Sequence, residues 1–193
     1  MASTPSLHFI GFGLRDASRP ATWRGPDHVT SICSVSECIN SAPEGWIQRW
    51  LHNDLGFFDT PALALAVAED SSAFELFAYR LLDVSFDPDE ECLDCAWPSE
   101  IVVPGSSVIG YDVVSRSMAD FFECSPLSCN GLADEVPVNQ YCLVATLEAA
   151  IPLARRFAEE GPEPGPYFVF EVSLVPKPVA QASESRAGVV GGE

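Results

Sequence analysis

The stretch Tyr167-Phe168-Val169-Phe170-Glu171-Val172-Ser173-Leu174-Val175 reads as a β-strand without competition. Phe168, Phe170, Val172 and Leu174 fall on one face, and the alternate residues fall on the other. That period of two is the geometry of a pleated strand. Pro176-Lys177-Pro178 then closes the segment. Working back from it, residues 108–115 form a second apolar strand. Residues 74–86 form a third, with Phe74, Leu76, Ala78, Leu82, Val84 and Phe86 on one face and Arg80 as the exception. Both faces of this strand are partly apolar, which places it centrally in a sheet. Residues 7–14 are apolar and broken by Gly11 and Gly13, which suits a short buried strand with close backbone packing.

Three helices are expected between the strands. Ser41 and Pro43 open the first, with Trp46, Ile47, Trp50 and Leu51 on its apolar face. Thr60-Pro61 opens the second, which runs to about Asp70. The third runs from Thr146 to Glu160, with Leu147, Ile151, Ala154, Phe157 and Ala158 facing the core. Arg155 and Arg156 suit its negative end, Gly161-Pro162 stops it, and Pro152 should kink it or shift its start. Residues 15–40, 87–107 and 116–142 read as loops. We read no internal repeat and no regular βαβα alternation. The expected fold class is α+β: a single domain over residues 1–178, a mostly antiparallel sheet with helices packed on one face. Residues 179–193 are rich in Ala, Ser, Gly and Glu and are expected to form a disordered tail.

Charge narrows the function. The chain has 28 acidic and 10 basic side chains and a formal net charge of −18. Residues 61–193 carry nearly all of that excess. Such a field repels phosphates and anionic membrane surfaces, so neither nucleic acid nor membrane is an expected partner. A basic protein is. The bland alternative is that the acidity serves solubility and keeps the chain a monomer or small homo-oligomer. The first residues lack a basic stretch followed by an apolar run, and no apolar run is long enough to span a bilayer, so the expected compartment is cytoplasmic.

In that compartment thiols stay reduced, and the seven cysteines, an odd number, do not suggest a disulfide framework. They fall in short-range pairs: Cys33 with Cys38, Cys92 with Cys95, and Cys124 with Cys129, leaving Cys142 alone. Zinc takes four ligands, usually as two such pairs, and Cys92, Cys95, Cys124 and Cys129 are the candidate set. The competing reading makes each cysteine a small buried hydrophobe. Gly11-Phe12-Gly13 lacks the third glycine of a dinucleotide loop, and Asp87-Pro88-Asp89-Glu90-Glu91 lacks the glycine of a calcium loop. His8, His28 and His52 have no partner at metal-binding spacing. The stretch Phe121–Gly131 is either a pocket-lining segment or a packed Ω-type loop.

The first functional reading is therefore a non-enzymatic protein-binding domain, such as an immunity or inhibitor protein for a basic partner. Its contact surface would be Asp87, Asp89, Glu90, Glu91 and Asp94, supported by Asp134 and Glu135. The alternative is a zinc-stabilised accessory domain using the paired cysteines. A third is an enzyme with dispersed residues, for which no catalytic side chain is assigned.

Overall fold

A computed structural model describes residues 6–36, 38–39, 51–68, 70–84, 86, 101–116 and 122–177. The fold is α+β. Its elements are β1 (Leu7–Arg15), α1 (Pro61–Ala66), β2 (Glu75–Leu82), β3 (Ser107–Arg116), β4 (Phe122–Cys124), α2 (Pro126–Cys129), α3 (Leu147–Glu160) and β5 (Tyr167–Val175). The strands form one antiparallel sheet in the order β1-β2-β5-β3-β4. The strand expected over 74–86 ends at Leu82, where Asp83 turns away to take the amide of Ser6. The loop expected over 116–142 contains β4, α2 and a 3-10 turn at Leu132–Asp134. The expected helix at 43–51 lies outside the described residues except for Leu51.

Helix α3 begins where expected, with Thr146 as its cap. The Thr146 hydroxyl accepts from the Ala149 amide at 3.3 Å, so Pro152 has not moved the start. Gly161 ends it in the left-handed conformation, with φ of 61°. Arg155 and Arg156 fall one turn too early to meet the last carbonyls, and Arg156 instead pairs with Glu160 at 3.5 Å. On the helix face of the sheet, Phe157 packs with Tyr167 and Val169, while α1 buries Ala64 against Phe12, Leu76 and Ala78. The other face is aromatic. Phe77, Tyr79, Phe168 and Phe170 are covered there by Phe57, Phe122, Leu143, Cys33 and Val35. Each such ring is worth about 1.5–3 kcal/mol of transfer free energy when fully buried.

The sheet has an internal repeat, against the reading of the sequence. Asn53 and Asn139 build the same loop. The Asn53 carboxamide oxygen accepts from the amides of Leu55 and Phe57, and its nitrogen donates to the Ile10 carbonyl. Asn139 accepts from Tyr141 and Leu143 and donates to Ile109. Phe58 then bridges Phe12 on the edge of β1, as Val144 bridges Tyr111 on the edge of β3. Thr60 caps α1 as Thr146 caps α3. Both strands carry a register shift just before a glycine, Gly11 and Gly110, with φ of 140° and 150°. Gly11 pairs with Tyr79, Gly110 pairs with Val172, and Tyr79 pairs with Val172. A pseudo-twofold axis through that last pair therefore exchanges β1 with β3 and β2 with β5.

Each half carries an insertion between its outer strand and its asparagine loop. The first half's insertion crosses to the second half. Thr30 and Ser31 donate their amides to the Gln140 carbonyl, and Cys33 donates to that of Tyr141. The second half's insertion contains β4 and α2.

Candidate metal centre

The two insertions meet around Asp112. This residue lies opposite Phe170 on the aromatic face and is fully buried. Its Oδ2 accepts from the Ser34 hydroxyl at 2.8 Å and the Val35 amide at 2.9 Å. Its Oδ1 accepts from the Ser125 hydroxyl at 2.6 Å and the Val113 amide at 2.9 Å. Burial pushes the carboxyl up to about 6 even against these donors, the Ser125 hydroxyl and Val35 amide foremost. One side chain thus holds residues 34–35 of the first insertion against residue 125 of the second.

From these anchors each insertion delivers sulfur. Ser34 Oγ accepts from the Ser36 amide, and Ser36 Oγ accepts from the Cys38 amide, both at 3.1 Å. That chain of side-chain turns leads Cys38 out to the surface. On the other side Ser125 precedes α2, whose first turn begins with Pro126 and whose last residue is Cys129. The amide of Cys129 donates to the Ser125 carbonyl at 2.8 Å. Cys124 ends β4 just before it. The sulfurs of Cys38, Cys124 and Cys129 consequently lie within 4.8 Å of one another. Cys38 and Cys124 are 3.8 Å apart, and Ser36 Oγ lies 3.3 Å from the Cys129 sulfur.

The three thiols share protons unequally. The Cys124 thiol donates to the Cys129 sulfur, and with help from Ser36 this draws Cys129 down to about 6 against its burial. The same hydrogen bond, followed by burial, pushes Cys124 far up. Burial also raises Cys38. Cys38 and Cys129 line an open cleft of about 340 Å³ together with Trp23, Arg24, Ile39 and Ser128.

Two members of the candidate zinc set lie among the described residues. Cys124 and Cys129 belong to the cluster, and Cys38 joins them. Cys92 and Cys95 lie outside the described residues. The pair Cys33 and Cys38 is split: Cys33 turns into the aromatic core, and its thiol is pushed up to about 12 mainly by burial. Cys142 is likewise buried and pushed up to about 12, first by burial. The spacing of Cys33 and Cys38 flagged the segment, but only the Asp112 anchor decides which sulfur faces the cleft. In place of an Ω-type loop, the described residues of the stretch Phe121–Gly131 form β4 and α2; Leu127 is buried, while Ser128, Cys129 and Gly131 line the cleft.

The histidines serve elsewhere. His8 meets Asp83 at 3.0 Å, His28 bonds the Val138 carbonyl at 2.9 Å, and His52 packs edge-on against Phe58. The proposed contact residues Asp87, Asp89, Glu90, Glu91 and Asp94 lie outside the described residues. Asp134 and Glu135 sit exposed at the 3-10 turn that follows α2. No described helix is long and apolar enough to cross a membrane. The chain matches no family description, no curated protein and no solved structure.

Proposed function

We propose that this protein is a zinc-binding accessory domain in which Cys38, Cys124 and Cys129 hold one ion. The observation that carries the reading is the sulfur geometry. Two thiolates at a Zn–S length of about 2.3 Å, set at the tetrahedral angle, lie about 3.8 Å apart. The Cys38 and Cys124 sulfurs have that separation. The Ser36 hydroxyl beside Cys129 and the serine chain behind Cys38 supply the outer hydrogen bonds that orient metal ligands. The ion would fasten the insertion of one half to the insertion of the other.

Cobalt substitution tests this. The reduced chain should take up one cobalt ion with an intense thiolate charge-transfer band and tetrahedral d–d absorption. Cys38→Ser and Cys124→Ser should lose the band, while Cys33→Ser and Cys142→Ser should keep it. A spectrum unaffected by Cys38→Ser or Cys124→Ser would refute the site. Cys92→Ser and Cys95→Ser, read in the same way, report whether either sulfur fills the fourth corner.

A second reading concerns the partner, and the net charge of −18 favours it. The zinc-held domain would present its acidic surface, including the Asp87–Asp94 segment, to a basic protein. Association should then slow steeply as salt rises. An association rate independent of salt would exclude it.

A further inference from the structure

We infer that the cysteine cluster is also a site of thiol–disulfide exchange, with a small disulfide as its substrate. The release of metal described below rests on the zinc reading; the exchange itself does not.

Access and order among the sulfurs carry the inference. Cys38 and Cys129 both line the cleft, but of the three only Cys38 is exposed, so a disulfide entering there meets its sulfur first. Cys124 is not part of the cleft wall, yet its sulfur lies 3.8 Å from that of Cys38. This is the arrangement of an attacking and a resolving thiol. A covalent S–S bond needs closure to about 2.0 Å, which requires the exposed Cys38 to move toward Cys124. Ser36 leaves Cys129 with a hydroxyl partner at 3.3 Å, so the third sulfur keeps a hydrogen bond while the other two react.

The Cys38 thiol gives its proton to solvent and its sulfur attacks one sulfur of R–S–S–R, forming a mixed disulfide and expelling RS⁻, which takes up a proton. The Cys124 thiol then loses its proton as its sulfur attacks that of Cys38, forming Cys38–Cys124 and expelling the second RS⁻, which is protonated in turn. The small disulfide is reduced by the two electrons that the cysteine pair loses. Starting from the zinc form, two of the three sulfurs are consumed, and Cys129 alone does not hold the ion, so Zn²⁺ leaves with the two RS⁻. The disulfide then links the insertions in place of the metal.

The test uses the full chain, purified reduced and anaerobically and then loaded with zinc. Cystamine, a small cationic disulfide suited to an acidic protein, is added, and the remaining thiols are alkylated before peptide mass spectrometry. The expected product is a Cys38–Cys124 cross-link, with one cystamine consumed, both halves released, and zinc appearing at a chelating dye at the same rate. Cys124→Ser should stop at a cysteamine adduct on Cys38. A wild-type chain that forms no Cys38–Cys124 link, or that carries adducts spread over Cys33 and Cys142 at similar rates, would overturn the exchange. If the chain takes up no zinc but still forms the link, the exchange stands and the metal reading falls. If zinc is bound and no link forms, the reverse holds.

Discussion

Asp112 faces Phe170 across the β3–β5 ladder, on a surface otherwise built of rings and branched chains. A carboxylate survives there because four donors converge on it. Its acidity gives stability a defined pH dependence. The folded carboxyl sits at about 6, above the ordinary value of 3.8, so the native state holds the proton more tightly than the unfolded chain. The contribution from this group is full below about pH 4 and is lost as pH rises through 6, a change of about 3 kcal/mol. Asp112→Asn should remove that component from a plot of unfolding free energy against pH. It should also cost about 1–3 kcal/mol, because one carboxamide face cannot accept from both donors it meets. An unchanged pH slope would show that another group is responsible. Zinc binding should depend on pH in the opposite sense. Cys38 and Cys124 hold their protons at neutral pH, so loading zinc should release about two protons, and affinity should climb with pH accordingly. Potentiometry during titration checks this. In the sequence Cys124 and Cys129 were legible as a candidate pair because their spacing is local. Asp112 was not, since a polar residue in an alternating strand looks the same whether it meets solvent or four donors.

At the scale of elements, strands were the readable part. β1, β3 and β5 fall within about one residue of their expected bounds, because a face of Phe and Val has few alternatives to burial. The glycines in β1 were read as close-packing positions, and the structure gives the reason. A Cβ on Gly11 would lie 2.7 Å from Phe57 Cβ and 2.8 Å from the Phe58 carbonyl oxygen, while one on Gly110 would lie 2.7 Å from Leu143 Cβ. Gly11→Ala and Gly110→Ala should each destabilise by about 2 kcal/mol or more, as read by chemical denaturation, since both a backbone conformation and a loop crossing oppose the methyl. Asn53→Ala and Asn139→Ala should cost about 2–4 kcal/mol each, and should cost similar amounts, because three bonds of each set correspond and the further bond of Asn53, to Asp59, is solvent-exposed. A marked inequality between them would argue that the two loops only look alike. The short elements β4 and α2 escaped the sequence reading for a physical reason: three or four residues carry too little periodicity, and tertiary contacts hold them.

At the scale of the whole molecule, the repeat was hidden by unequal insertions. Ile10-Gly11-Phe12 and Ile109-Gly110-Tyr111 correspond, as do Asn53 to Thr60 and Asn139 to Thr146. The distance between glycine and asparagine differs between the halves, so no fixed period exists for the eye to find. The candidate site lies where those insertions meet, which explains why Cys38 joins the local pair Cys124 and Cys129 from a distant part of the chain. Zinc removal should therefore act on cohesion between the halves. Chelation should lower the melting temperature reversibly, by an amount equivalent to about 4 kcal/mol where free zinc had exceeded its dissociation constant a thousandfold.

The pseudo-twofold axis through Tyr79 and Val172 has one further consequence. The β2–β5 ladder and the amides of Thr30, Ser31 and Cys33 join the two halves noncovalently, so the halves should pair without the covalent connection from β2 to β3. Two polypeptides separated within residues 83–106 should find each other when co-expressed, recreating as a heterodimer what the single chain achieves by tethering. The metal would then become an intermolecular bridge, and its chelator an agent of subunit dissociation.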